Sequence, residues 1–459
     1  MKIPTILNTL SHALEEHDAK AIVVGGSVRD HFLKLPIKDY DIEVYGLADF
    51  ESLERILSKY GSVNVVGKSF GVLKFVYEQE EYDFSFPRTE QKVGVGHRGF
   101  EVHCDGRLSF EEAAKRRDFT INAMGYDLQC GSFLDPYGGR EDMAAKRLRH
   151  IEEKTFVEDP LRLYRAVQFV ARFGYHLDPK TLQLCQQMVA QGVLEELPKE
   201  RIYEEFKKLL LKSPKPSVGF ELMRSLGMLK YYPELEALIG VPQSPKWHPE
   251  GDVWIHTLMA VDQMAGLKTG EPKRDLRLML AVLCHDFGKA THTQILPDRI
   301  TAIGHERAGL VPTEHFLYRL MEEHTLIKSI LPLVEHHLAP SQYYRNGAKD
   351  STIRKLAIKV NIEALVTVAR ADFLGRTTPA SRHGIYHAGD WLLAKAKTLQ
   401  VDKKPMKALV QGRDLIEIGL KPSKLFKELL DSVYLAQLNG EVGSKKEALL
   451  YVKRLINIT

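Results

Sequence analysis

GGSVRDHFLKLPIKDYD, residues 25–41, is the stretch that decides the fold. Just before it, AIVVGG (21–26) is a short apolar strand that ends in glycines. SVRDHFLK (27–34) follows at once as a helix turn, with Ser27 as a good cap. Glycine lets a backbone come close to a phosphate, and a helix N-terminus offers N–H donors to an anion. Arg29, one turn into that helix, can add a charge-assisted contact to a triphosphate. DYDIEVYG (39–46) then alternates, with Asp39, Asp41 and Glu43 on one face and Ile42 and Val44 on the other. Carboxylates at i and i+2 of a strand sit roughly 6–7 Å apart. From there they can converge on Mg²⁺, which takes few carboxylates and completes its shell with phosphate and water. Two such ions can activate a 3′-hydroxyl and stabilise a pyrophosphate leaving group. Taken singly, paired aspartates are commonly a solvated face, and a GG before a helix is often only a tight turn. Together at this spacing they favour the phosphate- and metal-binding reading.

Working outward, residues 1–150 are mixed α/β. GVLKFVYEQEEYDFSF (71–86) has the pattern of a hairpin turning near Gln79 to Glu81. Asp83 within it is expected to be an exposed strand aspartate, with a third metal carboxylate as the alternative. Residues 91–107 contain several glycines and no clear period, which predicts a loop. Beyond residue 150 the pattern turns helical. EDPLRLYRAVQFVARFG (158–174) places Leu161, Tyr164, Phe169 and Phe173 near helical spacing, with Gly174 as the stop. VPQSPKWHPEGD (241–252) marks a boundary, 253–380 is His-rich and helical, and the remainder is helical with Lys and Glu on its polar faces. The expected domains are therefore 1–150, 151–240, 241–385 and 386–459, an α+β head followed by all-α segments.

The 459 residues, 44% hydrophobic and 27% charged, have an ordinary globular composition. No apolar run reaches the roughly 20 residues of a membrane span, and the first twenty residues are too polar for a signal peptide. A cytoplasmic location is the expectation. Cys104, Cys130, Cys185 and Cys284 are widely spaced, which argues against a disulfide framework or a zinc ribbon. A net charge of +4 is compatible with an RNA partner without arguing for one.

The opening stretch resembles the first motif of the class II tRNA nucleotidyltransferases and bacterial poly(A) polymerases. KRRDFTINAM (115–124), DPYGGREDM (135–143), EDPLRLYRAVQFVARFG and LPKERIYEEFKKLL (197–210) resemble the second to fifth motifs, in order. The resemblance implies a polymerase-β-type head with helical neck, body and tail. It also implies Asp39 and Asp41 as the catalytic Mg²⁺ carboxylates, and Gly25, Gly26, Arg29 and Arg117 at the nucleotide. Arg116 and Arg117 add positive charge, Asp118 can orient an arginine, and Asn122 can bond a sugar hydroxyl or a phosphate. On the helix expected to start at Glu158, Asp159 and Arg162 are three apart and share a face, with Arg165 close by, and would replace a nucleic-acid template. A carboxylate accepts from an exocyclic amine and a guanidinium donates to a ring nitrogen or carbonyl, a pairing that suits cytosine and adenine over uracil and guanine. A plain ion pair at a helix start is the simpler alternative. RTEQKVGVGHRGF (88–100) falls where the family has a mobile loop involved in the switch from C to A.

The second half carries His256, His285-Asp286, His305, His336-His337 and Asp372. Imidazole and carboxylate together suit a divalent metal, and LCHDFGK (283–289) puts His285 and Asp286 near the end of one helix. The set, with ADFLGR (371–376), resembles the HD phosphohydrolase superfamily. WHPEGDVWIHT (247–257) resembles the segment that opens this domain in CCA-adding enzymes. The resemblance implies His256, His285, Asp286 and Asp372 as primary ligands of Ni²⁺, Mn²⁺, Mg²⁺ or a similar ion. It makes His305 and His337 secondary and Lys289 a phosphate contact. The implied activities are phosphatase, 2′-nucleotidase and 2′,3′-cyclic phosphodiesterase. His292, His315, His324 and His387 are left as surface or packing residues.

Together these point to CCA addition to tRNA from CTP and ATP, with PMKALVQGRDLIEIGLKPSKLFKELL (405–430) resembling a tRNA-contacting tail. Three alternatives stand beside it: a CC-only or A-only enzyme, a poly(A) polymerase, and a phosphohydrolase whose head only binds RNA. Oligomeric state is left open.

Overall fold

The computed structural model describes residues 1–65, 71–92 and 100–456. The chain divides into two compact units, residues 1–213 with 218–228, and residues 214–217 with 229–459.

The first unit is built on a seven-stranded mixed sheet. Its strands are β1 (Lys20–Val24), β2 (Tyr40–Tyr45), β3 (Ser62–Val65), β4 (Val72–Tyr77), β5 (Glu80–Ser85), β8 (Gly125–Asp127) and β9 (Phe133–Leu134). The order is β3-β4-β5-β2-β1-β8-β9. All neighbours run antiparallel except β2 and β5, which are parallel. The run AIVV is continuous rather than alternating because β1 is buried on both faces. Ala21 and Val23 join the main core with Ile42, Val44, Phe75 and Phe84. Ile22 and Val24 pack on the other face with Tyr45 and Ala113. The hairpin turn falls at Glu78–Gln79, both at positive φ, one residue earlier than the sequence suggests. Residues 91–107 are not simply a loop, since β6 (Arg88–Lys92) and β7 (Phe100–Cys104) form an antiparallel pair. The segment 93–99 between them, in the stretch compared with a mobile loop, lies outside the described residues.

Two helix starts differ from expectation. Gly25, not Ser27, caps the helix Gly26–Phe32, and Ser27 Oγ donates back to the Val24 carbonyl from inside it. The next long helix begins at Leu161 after Pro160, so Asp159 lies ahead of it and accepts from the Leu161 N–H at 3.1 Å. That helix ends at Gly174 as expected, in the left-handed conformation, and packs on helix Lys199–Lys212.

In the second unit, helices Val253–Gly266, Pro272–Cys284, His324–His336 and Ile362–Leu374 pack on one another. Asp252 caps the first, accepting from the Ile255 N–H at 2.9 Å. A short hairpin, Gln294–Ile295 with Ile300–Thr301, interrupts the helical run. Helices Gly412–Glu417, Lys424–Asn439 and Lys445–Ile456 share a small core around Leu415, Leu429, Val433 and Val452. No helix among the described residues is long and apolar enough to cross a membrane.

Candidate functional sites

A cavity of about 520 Å³ opens in the first unit. Gly25, Gly26, Arg29, Asp41, Arg117, Asp118, Asn122, Asp159, Arg162 and Arg165 all line it. Ten arginines and lysines face three aspartates on its walls, a balance suited to a polyanion. Sheet register gathers the carboxylates: Asp41 on β2 pairs directly with Asp83 on β5, so the two stand side by side on one face. Asp39 lies one residue before β2 begins. Asp41 keeps solvent access, yet the cavity walls desolvate its carboxyl and raise its pKa. Arg117 lowers it, and Asp83, Asp39 and Glu43 raise it further. Asp83 is also raised, by desolvation first and by Glu81 and Asp39 against Lys74. A group of carboxylates that resist joint ionisation is one that a divalent cation relieves.

Glu43 shares the face of Asp41 but has a different task. Its buried carboxylate accepts from Arg117 Nη2 at 2.8 Å and from the Tyr45 hydroxyl at 2.8 Å, with Arg116 at 3.5 Å. Burial pushes this carboxyl up, but Arg117 and Arg116 prevail and hold it below the ordinary range. Gly25 makes room for the result. At φ +71 its missing Cβ would stand 2.9 Å from Arg117 Nη1.

A second relay crosses the cavity floor. Arg29 Nη1 donates to Asn122 Oδ1 at 2.6 Å, and Asn122 Nδ2 donates to Asp118 Oδ1 at 2.9 Å. Arg165 Nε donates to Asp118 Oδ2 at 2.5 Å. The expectation that Asp118 orients an arginine therefore has a concrete form. Asn122 has both ends of its amide engaged within the protein, as a spacer between Arg29 and Asp118. Arg29 is further held by Asp30 and lies over the Phe169 and Phe173 rings. Burial pushes Asp118 up, but Arg165 and the Asn122 bond outweigh it, so it stays ionised. Asp159 accepts from Arg201 at 3.1 Å, and Arg162 donates to the carbonyls of Thr155 and Arg116.

The second unit holds a cavity of about 1020 Å³. The side chains of His256, His285, Asp286, His305, His337 and Asp372 are buried in and around its floor. Three imidazoles hand their Nδ1–H to backbone carbonyls: His285 to Val282 at 2.6 Å, His305 to Ala302 at 2.6 Å, and His337 to Val334 at 2.7 Å. Nδ1 of His256 donates to Glu250 at 2.8 Å. Every Nε2 is thus left with a lone pair, and these lone pairs meet carboxylate oxygens. His256 Nε2 is 3.1 Å from Asp372, His285 Nε2 is 3.2 Å from Asp286, and His305 Nε2 is 3.3 Å from Asp286. His285 Nε2, His305 Nε2 and both Asp286 oxygens have no hydrogen-bond partner although buried. Acceptors facing acceptors at such separations require protons or a cation between them. The donor set fits a divalent metal, with His256, His285 and Asp372 in one group and Asp286, His305 and His337 in another. Without metal, burial pushes His285 down, but Asp286 pulls it up past its usual value. His337 is pushed down to about 3 by burial and by His285 and His305.

Lys289 Nζ lies 2.7 Å from Asp286 Oδ2, out of hydrogen-bond alignment, and donates to Gln243 Oε1 at 2.7 Å. Arg376 pairs with Asp372 at 2.8 Å. Gly288 makes the assembly possible: a Cβ there would fall 2.0 Å from the His305 carbonyl oxygen, so only glycine lets the two segments touch. Gln243, His248, Glu250 and Arg376 are site residues that sequence reasoning did not single out, although they stand in the segments quoted above. His387, set aside as a surface or packing residue, lines the cavity together with His383.

The first unit has the architecture of a nucleotidyltransferase head, and the second that of an HD metal-centre domain. Residues 21–149 match the poly A polymerase head domain, 174–239 the probable RNA and SrmB-binding site of polymerase A, and 253–374 the HD domain. The multifunctional CCA protein of Methylococcus capsulatus is 35% identical over 399 residues, 84% of this chain and 89% of its own length. That of Acinetobacter baylyi is 34% identical over 86% of this chain and 93% of its own. The Bacillus stearothermophilus CCA-adding enzyme, solved in complex with CTP, aligns with a TM-score of 0.70 at 25% identity. It covers 100% of this chain and 99% of its own. The chain belongs to the multifunctional CCA protein family.

Proposed function

We propose that this chain builds the CCA end of tRNA from CTP and ATP, and that its HD centre hydrolyses phosphate esters at RNA ends. The observation that carries the first half is the pairing of Asp41 and Asp83 at a cavity walled by ten cationic side chains. The terminal 3′-oxygen bonds to the α-phosphorus, the bond to the β-phosphate oxygen breaks, and pyrophosphate leaves. Asp39 and Asp41, with Asp83 as a third carboxylate, would hold Mg²⁺, whose charge would favour ionisation of the attacking hydroxyl and offset that of the leaving group. Arg117, braced by Glu43, and Arg29, braced by Asn122 and Asp30, face the triphosphate. Asp159 and Arg162 read the base edge. Asp159 gives up its contact with Arg201 when it accepts from an exocyclic amine.

In the HD centre His256, His285, Asp286 and Asp372 would hold the metal, Ni²⁺, Mn²⁺ or Mg²⁺, with His305 and His337 as a secondary set. When bound, such an ion would supply Lewis acidity for a water nucleophile and for the phosphoryl oxygen. Lys289 and Arg376, each fixed by a neighbouring side chain, supply positive charge for the phosphate. The half-exposed rings of Trp247 and Tyr344 on the cavity wall suit a nucleoside beside that phosphate. Phosphatase, 2′-nucleotidase and 2′,3′-cyclic phosphodiesterase activities follow, and they would restore the free 3′-hydroxyl that CCA addition needs. The HD domain favours this reading over a poly(A) polymerase, and the carboxylate cluster favours it over a head that only binds RNA.

Reciprocal inactivation tests the division of labour. Asp39→Ala with Asp41→Ala should abolish nucleotide addition and leave hydrolysis of 2′,3′-cyclic AMP, and Asp286→Ala should do the reverse. Loss of both activities in either folded variant would count against two separate sites.

A further inference from the structure

The loop before helix Val253–Gly266 carries a carboxylate outside the ligand set. Glu250 is 1% exposed at its side chain, and each of its oxygens has its own partners. Oε1 accepts from His256 Nδ1 at 2.8 Å and from His248 Nδ1 at 2.9 Å. Oε2 accepts from the Thr377 N–H at 3.1 Å. A carboxylate can only accept, so these bonds fix the proton of His256 on Nδ1 and leave the Nε2 lone pair toward Asp372 at 3.1 Å and Asp286 at 3.8 Å. The other three imidazoles of the floor are oriented by neutral carbonyls three residues back in the chain. His256 is the one whose orienting acceptor carries a charge, which makes its Nε2 the stronger donor to a cation. Glu250 also joins two distant segments, because Thr377 follows closely on Asp372 and Arg376.

We infer that Glu250 is a positioning residue of the HD centre, which sets the ring and tautomer of His256 and thereby the affinity for a divalent cation. The inference rests on His256, His285, Asp286 and Asp372 being metal ligands. A competing arrangement is a separate ion held by His248, Glu250 and His256, whose ligand atoms lie within 4.8 Å of one another. The two N···O separations are ordinary hydrogen-bond lengths, and an ion there would take the Nδ1 that now carries the proton.

The test uses the full chain carrying Asp39→Ala and Asp41→Ala, so that only the HD centre reports. The protein is stripped with chelator and titrated with Mn²⁺ by calorimetry. Glu250→Gln keeps the size but turns one acceptor oxygen into a donor. It should leave the stoichiometry unchanged and weaken Kd by about 10–100-fold. Glu250→Asp keeps both acceptor oxygens and should recover at least tenfold of that loss. An Asp variant as weak as the Gln variant would assign the loss to packing and overturn the inference, as would a Gln variant within twofold of the parent. Loss of one whole binding equivalent with the remaining affinity unchanged would make Glu250 a ligand itself, against the inference. A parent that binds no Mn²⁺ would refute the ligand assignment, and the positioning role with it.

Discussion

Gly25→Ala is the smallest change that should silence one half of this molecule. Gly25 adopts φ +71 and ψ −127, a region that side chains with a Cβ rarely enter. Forcing alanine into it costs on the order of 1–3 kcal/mol. The new Cβ would also lie 2.9 Å from Arg117 Nη1 and 3.9 Å from Asp41 Oδ2, so it meets the two groups that define the head cavity. Arg117 has little room to retreat, since Nη2 is tied to the buried Glu43 at 2.8 Å. Displacing a positioning group by about 1 Å costs roughly 100-fold in rate. The expectation is a melting transition of the first unit lowered by about 2–10 °C, with nucleotide addition reduced by about 100-fold. Hydrolysis of 2′,3′-cyclic AMP by the same preparation should be unchanged, because Gly25 belongs to the other compact unit. Addition within threefold of wild type, in a folded variant, would refute the claim that Gly25 exists to admit Arg117.

Arg162→Ala should blur discrimination between the cognate pair CTP/ATP and the rejected pair UTP/GTP. Single-turnover incorporation of each nucleotide reads this out, and unchanged selectivity would count against base reading by this residue. In metal-free protein, His337 is pushed down to about 3 and His248 to about 4, in both cases by burial first. Both folded values lie below the unfolded value of about 6.5. At these two imidazoles the unfolded chain therefore binds more protons, which outweighs the single raised imidazole His285, and stability falls as pH drops through 6.5 toward 4. Chelator-treated protein should melt lower at pH 5 than at pH 7, and an equal or higher midpoint at pH 5 would contradict neutral His337 and His248.

Local chemistry was legible in the sequence. GG followed by a helix and a DYD strand, and the order of histidines from His256 to Asp372, name groups whose spacing along one element already restricts where they can go. Pairings between distant segments were not. Asp83 is 42 residues from Asp41, and only the parallel register of β2 and β5 makes them neighbours. Glu43 looks like a third member of an acidic face. Its partner Arg117 lies 74 residues away and turns it into a brace. Asp159 and Arg162 have helical spacing, but Pro160 starts the helix after Asp159, so their separation is not set by a helix face. Ser27 has the chemistry of a cap, yet the positive φ that ends the strand falls to Gly25. Glu250 and Gln243 sit in a Pro- and Gly-rich loop without periodicity. Their roles appear only when His256 and Lys289 are brought against them.

The most direct test of the central claim is a length assay. Purified protein with Mg²⁺ would be given tRNA transcripts ending before CCA, after C, and after CC, each with CTP, ATP or both, and the products resolved to single nucleotides. The account predicts extension of every transcript to a completed CCA and a stop there. Addition of CC only, A only or a long A tail would contradict it, as would the absence of any addition.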